Sequence, residues 1–313
     1  MRLAAALTIL LAISGVADPG WAQQNANPEI LFWPVRGNVY VVAGAGANIA
    51  MSVGVDGVLL VDSGSAEMTD KLIAAVQQFL RQRNPTGPVL PIRYIINTSP
   101  DVDHVGGNAK IAESAIFKPL PGGEQIIAQD NALHRIIDAR LPFKARPTDT
   151  YTTEQYRVNR FFNGEGVQVI HMPAAHSDGD SVVNFRYSDV IATGDVFTYD
   201  YPVIDIDKGG SIQGVLKGLN QLIDLVFPEF RSQGGTMLIP GHGRVSDLTD
   251  LAYYRDMVTI IRDRIEDMRK KGMTLEQVKA AKPTLDYDPI YGKKAGSADR
   301  FVEAVYRGLG AKP

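Results

Sequence analysis

The stretch that decides the fold is Asn97-Thr98-Ser99-Pro100-Asp101-Val102-Asp103-His104-Val105-Gly106-Gly107-Asn108. An apolar run over 93–97 leads into it and predicts a strand, whereas the glycine pair opens a segment, 106–115, with helical spacing. Two carboxylates and one imidazole therefore lie where a buried strand meets a loop. Ligand sites concentrate at that edge of an α/β sheet, so this corner is the first candidate site.

Three further motifs follow predicted strands in the same way. They are Ala175-His176-Ser177-Asp178-Gly179-Asp180, Thr193-Gly194-Asp195 and Pro240-Gly241-His242-Gly243. Each alone is explained by an ordinary loop histidine or turn aspartate. Together they indicate a metal site, because imidazole and carboxylate ligands from several strand ends can hold a divalent cation and leave one position for water. His134, on a polar helix, and His171, at a strand end, are interpreted as structural residues.

In this order, the motifs resemble the metallo-β-lactamase superfamily, whose hallmark is H-x-H-x-D-H-x-G-G, a distant His, a bridging Asp and a final G-H-G. The resemblance runs from about Asn38 to Asp247. Asp62 and Gly64 match the family's D-x-G turn, which supports the site from behind. The resemblance implies a four-layer αββα sandwich, a binuclear metal centre and hydrolysis by a metal-activated water.

The chain departs from the family motif at one half of this centre. Ser99 and Asp101 occupy the positions of the first two histidines, so the first site would have only Asp101, His176 and Asp195. The second site is whole: its ligands would be Asp103, His104, Asp195 and His242. We expect one or two zinc ions with the first site weakened, although a carboxylate-rich set also suits iron or manganese. Asp103 is the candidate catalytic residue that orients the water.

Three classes of function fit this set of ligands. The leading hypothesis is a metal-dependent hydrolase acting on a small-molecule substrate, with β-lactams, lactones, esters and thioesters as candidates. The second is a non-haem iron redox protein, which would need a separate electron carrier. The third is a non-catalytic or mononuclear metal-binding relative. Metal analysis distinguishes them, since zinc, iron and no metal point to different classes.

The N-terminal residues 1–22 differ in kind from the rest. One positive charge is followed by an apolar run over 3–16 and by small residues before position 23. This pattern predicts a cleaved signal peptide and a periplasmic or secreted protein. The run is shorter than a membrane-spanning helix needs, so we expect no membrane anchor.

Composition narrows the possible partners. The 313-residue chain has 32 Lys and Arg against 35 Asp and Glu, and no Cys. Without a basic patch it has no charge footprint for nucleic acid, and without cysteine it has no thiolate metal site. Any metal must therefore be held by His, Asp or Glu.

We predict a single domain over 23–313, with a C-terminal helical extension from about 248. The helix over 248–271 carries alternating charges typical of a solvated face, and Thr274 with Gln277 predicts a capping box. Residues 125–137 have helical spacing, but 118–162 as a whole is irregular and is expected to carry function or a lid. Tyr199, Tyr201 and Pro202 are equally consistent with lining a substrate groove and with packing.

Overall fold

Two β-sheets form the centre of the molecule in a computed structural model that describes residues 29–120, 125–158, 161–226 and 234–310. The predicted signal peptide lies outside these residues. The first sheet has strands in chain order: β1 Leu31–Arg36, β2 Val39–Ala43, β3 Ile49–Gly54, β4 Gly57–Val61, β5 Ile92–Ile96, β6 Ile126–Gln129 and β7 Asp149–Tyr151. β1 to β4 pair antiparallel, and β4 to β7 pair parallel.

The second sheet contains the later strands. These are β8 Gln155–Arg157, β9 Val167–His171, β10 Ser181–Phe185, β11 Val190–Gly194 and β12 Met237–Pro240, in the order β12-β11-β10-β9-β8. The helices are α1 Thr69–Arg83, α2 Val102–Val105, α3 Asn108–Glu113, α4 Asp130–Asp138, α5 Ile212–Leu225, α6 Leu248–Lys270, α7 Leu275–Ala280, α8 Asp288–Tyr291 and α9 Ser297–Gly308. None of the described helices is long and apolar enough to span a bilayer.

Alternating side chains divide the apolar residues among three cores. On β2, Val39 and Val41 face the core between the sheets, whereas Tyr40 and Val42 face the core under α1. A strand buried on both faces produces this split because successive side chains point to opposite sides. The third core packs the second sheet against α5, α6 and α9. These layers confirm the predicted αββα sandwich.

The sequence interpretation was wrong in part for residues 125–137. Ile126–Gln129 forms β6, and only the following Asp130–Asp138 is helical. All four β6 residues are buried, and β6 pairs with β5 and β7, so tertiary burial overrode the helical spacing. The irregular span 118–162 therefore contributes elements to both sheets.

The helices after β12 pack onto the second sheet. α6 contacts α5, and α9 contacts α5, α6 and α7. The predicted capping box of Thr274 and Gln277 is present at the start of α7. The charged face of α6 forms i,i+4 ion pairs, Glu266 with Lys270 and Asp267 with Lys271, as a solvated helix face does.

Candidate metal centre

His104 is held rigidly at the corner after β5. Its Nδ1 lies 2.8 Å from Asp62 Oδ2, and Thr98 donates to both carboxylate oxygens of Asp62, from its backbone N–H at 2.8 Å and its hydroxyl at 2.6 Å. Asp62 is buried and adopts a left-handed backbone conformation, with φ of 68°. A carboxylate that binds Nδ1–H fixes the tautomer and directs Nε2 towards a metal. The D-x-G turn therefore supports the site directly.

Asp195 and His242 follow the adjacent parallel strands β11 and β12. The Gly241 N–H donates to the Gly194 carbonyl oxygen at 2.8 Å, which brings the two strand ends together. A Cβ at Gly241 would overlap Asp195 Oδ1, so glycine is required for this close approach. The carboxylate and the imidazole thus project from neighbouring positions of one sheet edge.

The side chains that the sequence assigned to the second site come together at this edge. His104 Nε2 lies 3.1 Å from Asp195 Oδ2, and His242 Nε2 lies 3.2 Å from Asp103 Oδ2 and 3.7 Å from Asp195 Oδ1. Ligand atoms of Asp103, His104 and His242 all lie within 4.8 Å of one another. Such a set has the size of a coordination sphere around one ion.

The altered half of the motif forms a different cluster. His176 Nδ1 lies 2.8 Å from the Val203 carbonyl oxygen, and His176 Nε2 lies 2.9 Å from Asp101 Oδ2. The other oxygen of Asp101 accepts from Lys208 Nζ at 2.8 Å. The buried Ser99 hydroxyl accepts from the Asp101 N–H at 3.3 Å. Asp101, His176 and Asp195 are also close enough to share an ion.

The two halves differ in how their polar atoms are satisfied. His104 Nε2 and Asp195 Oδ1 are buried and have no hydrogen-bond partner among the described residues. Buried polar atoms are rarely left in this condition, and two of them at one set of ligands fit a bound cation. In the altered half, by contrast, His176 and Asp101 satisfy each other and Asp101 has Lys208 as a further partner.

Charge coupling is strong throughout the centre. Burial raises the pKa of Asp195, yet the charge of the His104 imidazole, whose Nε2 lies 3.1 Å from Asp195 Oδ2, holds that pKa well below its usual range. Burial lowers the pKa of His176, but the hydrogen bond to Asp101 and the charges of Asp180, Asp195 and Asp101 raise it to about 10. Carboxylates therefore draw positive charge onto the buried imidazole of His176, which is where a cation or a proton is stabilised.

Lys208 is a functional candidate that sequence reasoning missed. It ends the short 3₁₀ turn Ile206–Lys208, where its ammonium also pairs with Asp205 at 2.9 Å. It lies 107 positions from Asp101 along the chain. One signal was available: Lys208 is the only basic residue between Arg186 and Lys217. His134 is exposed and His171 bonds the Asp178 carbonyl oxygen, so neither joins the centre.

A cavity of about 310 Å³ opens onto the centre. Five of the six predicted ligands line it, namely Asp101, Asp103, His176, Asp195 and His242. Tyr201 and Pro202 also line this cavity, whereas Tyr199 packs beneath the Arg244 guanidinium. No described residue of 118–162 lines it, and the expectation that this span carries function or a lid stays a prediction. Four residues of the C-terminal segment, Lys294, Ser297, Arg300 and Ala304, line it instead.

The fold of the chain is similar to those of several solved structures. The chain is similar to the DIM-1 metallo-beta-lactamase, with 15% identity and a TM-score of 0.56 over 74% of this chain and 98% of that one. A metallo-beta-lactamase from Hirschia baltica has 18% identity and a TM-score of 0.55, over 72% and 98%. A double mutant of the sec-alkyl sulfatase PisA1 has 16% identity and a TM-score of 0.63 over 90% of this chain. The match spans only 51% of the sulfatase chain.

The family assignment comes from sequence. No curated protein matches the chain significantly by sequence. Residues 33–242, more than half of the 313-residue chain, match the family model for the metallo-beta-lactamase superfamily. With the αββα fold and the clustered His and Asp ligands, this match confirms the resemblance: the chain belongs to the metallo-beta-lactamase superfamily.

Proposed function

We propose that the protein is a metal-dependent hydrolase of small molecules with one high-affinity cation site. The residues that would hold the ion are Asp103, His104, Asp195 and His242. The observation that carries this proposal is the pair of buried atoms, His104 Nε2 and Asp195 Oδ1, that have no hydrogen-bond partner among the described residues. A bound cation would satisfy both atoms at once.

The altered half supports a single ion rather than two. Asp101 accepts from both His176 and Lys208, so its two oxygens are already engaged. The Lys208 ammonium also places a positive charge where a second cation would have to bind. Repulsion between like charges disfavours a second ion there, and Ser99 offers only a neutral hydroxyl.

The proposed chemistry combines one bound cation with the side chains around it. A divalent cation supplies Lewis acidity and lowers the pKa of water, and two imidazoles with two carboxylates suit zinc. Asp62 binds Nδ1 of His104, which directs Nε2 towards Asp195 and the proposed ion. Asp103 lines the cavity and its side chain is 37% exposed, so it can accept a proton from an attacking water. The hydrogen bond from His242 lowers the pKa of the Asp103 carboxyl group, which keeps this carboxylate ionised.

The volume of the cavity limits the size of the substrate. A volume of about 310 Å³ is at the small end of ligand pockets and suits an ester, thioester, lactone or β-lactam rather than a polymer. The structural neighbours named above, metallo-beta-lactamases and an alkyl sulfatase, support a hydrolytic activity in general terms. Export by a signal peptide over 1–22 is part of the proposal, and the N-terminal sequence of the mature protein tests it.

Metal quantification on protein purified without chelator, followed by a hydrolase panel, tests this function. We expect about one equivalent of zinc and hydrolysis that is lost on chelation and restored by zinc. His242→Ala should abolish both metal retention and activity. His134→Ala, which removes an exposed histidine outside the centre, is the matched control. Iron with visible absorption would favour redox chemistry, and no metal uptake would favour a non-catalytic relative.

A further inference from the structure

The C-terminal segment forms part of the wall of the metal-site cavity. Lys294, Ser297, Arg300 and Ala304 line it together with the ligands of the centre. All four lie beyond residues 33–242, the part that matches the family model. This wall is therefore a feature of the chain's own C-terminal helices, and its chemistry bears on which substrate the cavity accepts.

The wall is fixed firmly to the centre through Tyr201. Its hydroxyl donates to Asp288 Oδ1 at 2.8 Å, and its N–H donates to the Tyr291 carbonyl oxygen at 3.1 Å. Its ring stacks on Phe301 of α9, with centroids 5.4 Å apart and planes 11° apart. Since Tyr201 follows the Asp195 loop, these contacts hold the start of α9 at a set position relative to the metal ligands.

Two hydrogen-bond donors of α9 face the cavity one turn apart. Ser297 is only 8% exposed, and its Oγ has no hydrogen-bond partner among the described residues. Arg300, three positions later on the same helix face, is exposed and forms no ion pair with a described carboxylate. Within the described residues, the hydrogen bond of its guanidinium is to the Ala295 carbonyl oxygen, at 3.3 Å. A buried hydroxyl and a guanidinium are thus free to bind the same group.

The surrounding charges favour an anion at this wall. The first turn of this twelve-residue helix carries a partial positive charge, although the N–H of Ser297 already donates to the Lys294 carbonyl oxygen at 3.0 Å. Lys294 pairs with Asp200 at 2.9 Å, which neutralises the carboxylate nearest to it in the cavity wall. Asp299 lies in the same turn but does not line the cavity. Four aspartates, Asp101, Asp103, Asp195 and Asp200, also line the cavity, but each of them forms an ion pair with a histidine or a lysine, whereas Arg300 forms none with a described carboxylate.

We propose that Ser297 and Arg300 bind a carboxylate of the substrate, so that the preferred substrate is an acyl ester or a related acyl compound with a free carboxylate beyond the scissile bond. This inference rests on the proposed hydrolase function. Pro202, Val203, Ile204 and Ala304 give the cavity an apolar portion that suits the carbon chain of such a substrate. Guanidinium pairs with carboxylate through two parallel hydrogen bonds, and the Ser297 hydroxyl adds a third donor.

Paired esters test the proposal: para-nitrophenyl hydrogen glutarate and its methyl ester differ in the distal charge and in one methyl group. On the zinc-loaded protein we expect KM for the anionic ester to be about tenfold lower, because an exposed charged contact is partly screened. Arg300→Gln should remove this preference, so that KM for the anionic ester rises to that for the methyl ester. Arg307→Gln removes a charge from the same helix outside the cavity and should keep the preference.

Ser297→Ala gives a second, independent measurement. It should weaken binding of the anionic ester while the melting temperature stays equal or rises, because the hydroxyl it removes is buried and unpaired. A purely structural serine would instead lower the melting temperature and leave the preference intact. That result, or equal KM values for the two esters, would overturn the proposal.

A binding assay separates this inference from the hydrolase proposal. Glutarate should raise the melting temperature of the zinc-loaded wild type and of Arg307→Gln, but not that of Arg300→Gln. If neither ester is hydrolysed and this pattern holds, the carboxylate site stands and the hydrolase proposal fails. If the esters are hydrolysed without preference and glutarate stabilises all variants equally, the carboxylate site fails. Propyl sulfate in place of glutarate distinguishes a sulfate site, and stronger, Arg300-dependent stabilisation by it would overturn the carboxylate assignment.

Discussion

Replacing Lys208 by methionine should open the altered half of the centre to a second ion. Lys208 Nζ lies 2.8 Å from Asp101 Oδ1 and 2.9 Å from Asp205 Oδ2. Methionine keeps most of the length of the stem but removes the charge, so Asp101 regains a free oxygen. His176 Nε2 and Asp195 already lie close enough to Asp101 to complete a three-ligand set.

The size of the effect follows from Coulomb's law. A cation shared by Asp101 and His176 would lie about 5 Å from Nζ, where a unit charge and a divalent ion repel by about 7 kcal/mol at an effective dielectric constant of about 20 and by about 2 kcal/mol in water. The Lys208 side chain is 35% exposed, so solvent screens its charge and we expect the repulsion energy to be the lower value, about 2 kcal/mol. Affinity for the second ion should therefore rise about 30-fold.

Equilibrium dialysis followed by metal quantification measures this affinity across a zinc titration. Lys208→Met should bind a second equivalent at zinc concentrations where the wild type binds one. Lys110→Met is the matched control, since Lys110 pairs with Asp70 in an exposed contact away from the cavity. A wild type that already holds two ions with equal affinity would refute the reasoning, as would an unchanged second affinity in Lys208→Met.

The remaining predictions concern metal affinity, and each is read by titration with zinc. Asp62→Asn should weaken the first ion about tenfold to a hundredfold, because an amide orients His104 less firmly than a carboxylate does; unchanged affinity would mean that Asp62 acts only in folding. Gly241→Ala should lower metal occupancy, since its methyl group overlaps Asp195 Oδ1 and displaces the carboxylate; full occupancy would contradict this. The double change Ser99→His and Asp101→His should raise zinc stoichiometry towards two, and a stoichiometry still at one would show that the imidazoles alone do not restore the site.

Much of the fold could be predicted because short-range patterns and tertiary burial agree. The apolar run predicted over 93–97 matches β5, Ile92–Ile96, and the strand predicted before Asp195 matches β11, Val190–Gly194. The pattern failed at Ile126–Gln129, where four buried residues in a row carry no period that separates a strand from a buried helix. Pairing with β5 and β7 determines that this segment is a strand, and that pairing depends on residues distant in the sequence.

In the candidate site, too, residues in local sequence motifs could be predicted and residues brought in by long-range packing could not. The ligand types could be predicted because each belongs to a local motif at a strand end, and the sheet brings those ends together. Lys208 and Arg300 could not, because neither belongs to a motif and each reaches the cavity only through packing of distant elements. For Tyr199, Tyr201 and Pro202 the sequence left a groove and packing equally open, because contacts with the C-terminal helices decide which of these side chains turn inward.

Charge balance explains why the altered half needs Lys208. Where the family motif has two neutral imidazoles, this chain has a hydroxyl and a carboxylate, so the substitution adds a negative charge to a cluster that already contains the half-buried Asp195 and the buried Asp180. An ion or a protein cation must offset that charge, because an unpaired buried carboxylate is costly. Lys208 and a protonated His176 supply this compensation from within the chain.

At the other half, Asp62, Asp103 and Asp195 face His104 and His242 with no lysine or arginine among their ion-pair partners in the described chain. That half therefore depends on a metal cation for its balance, and it should be the first to load and the last to lose its ion on chelation.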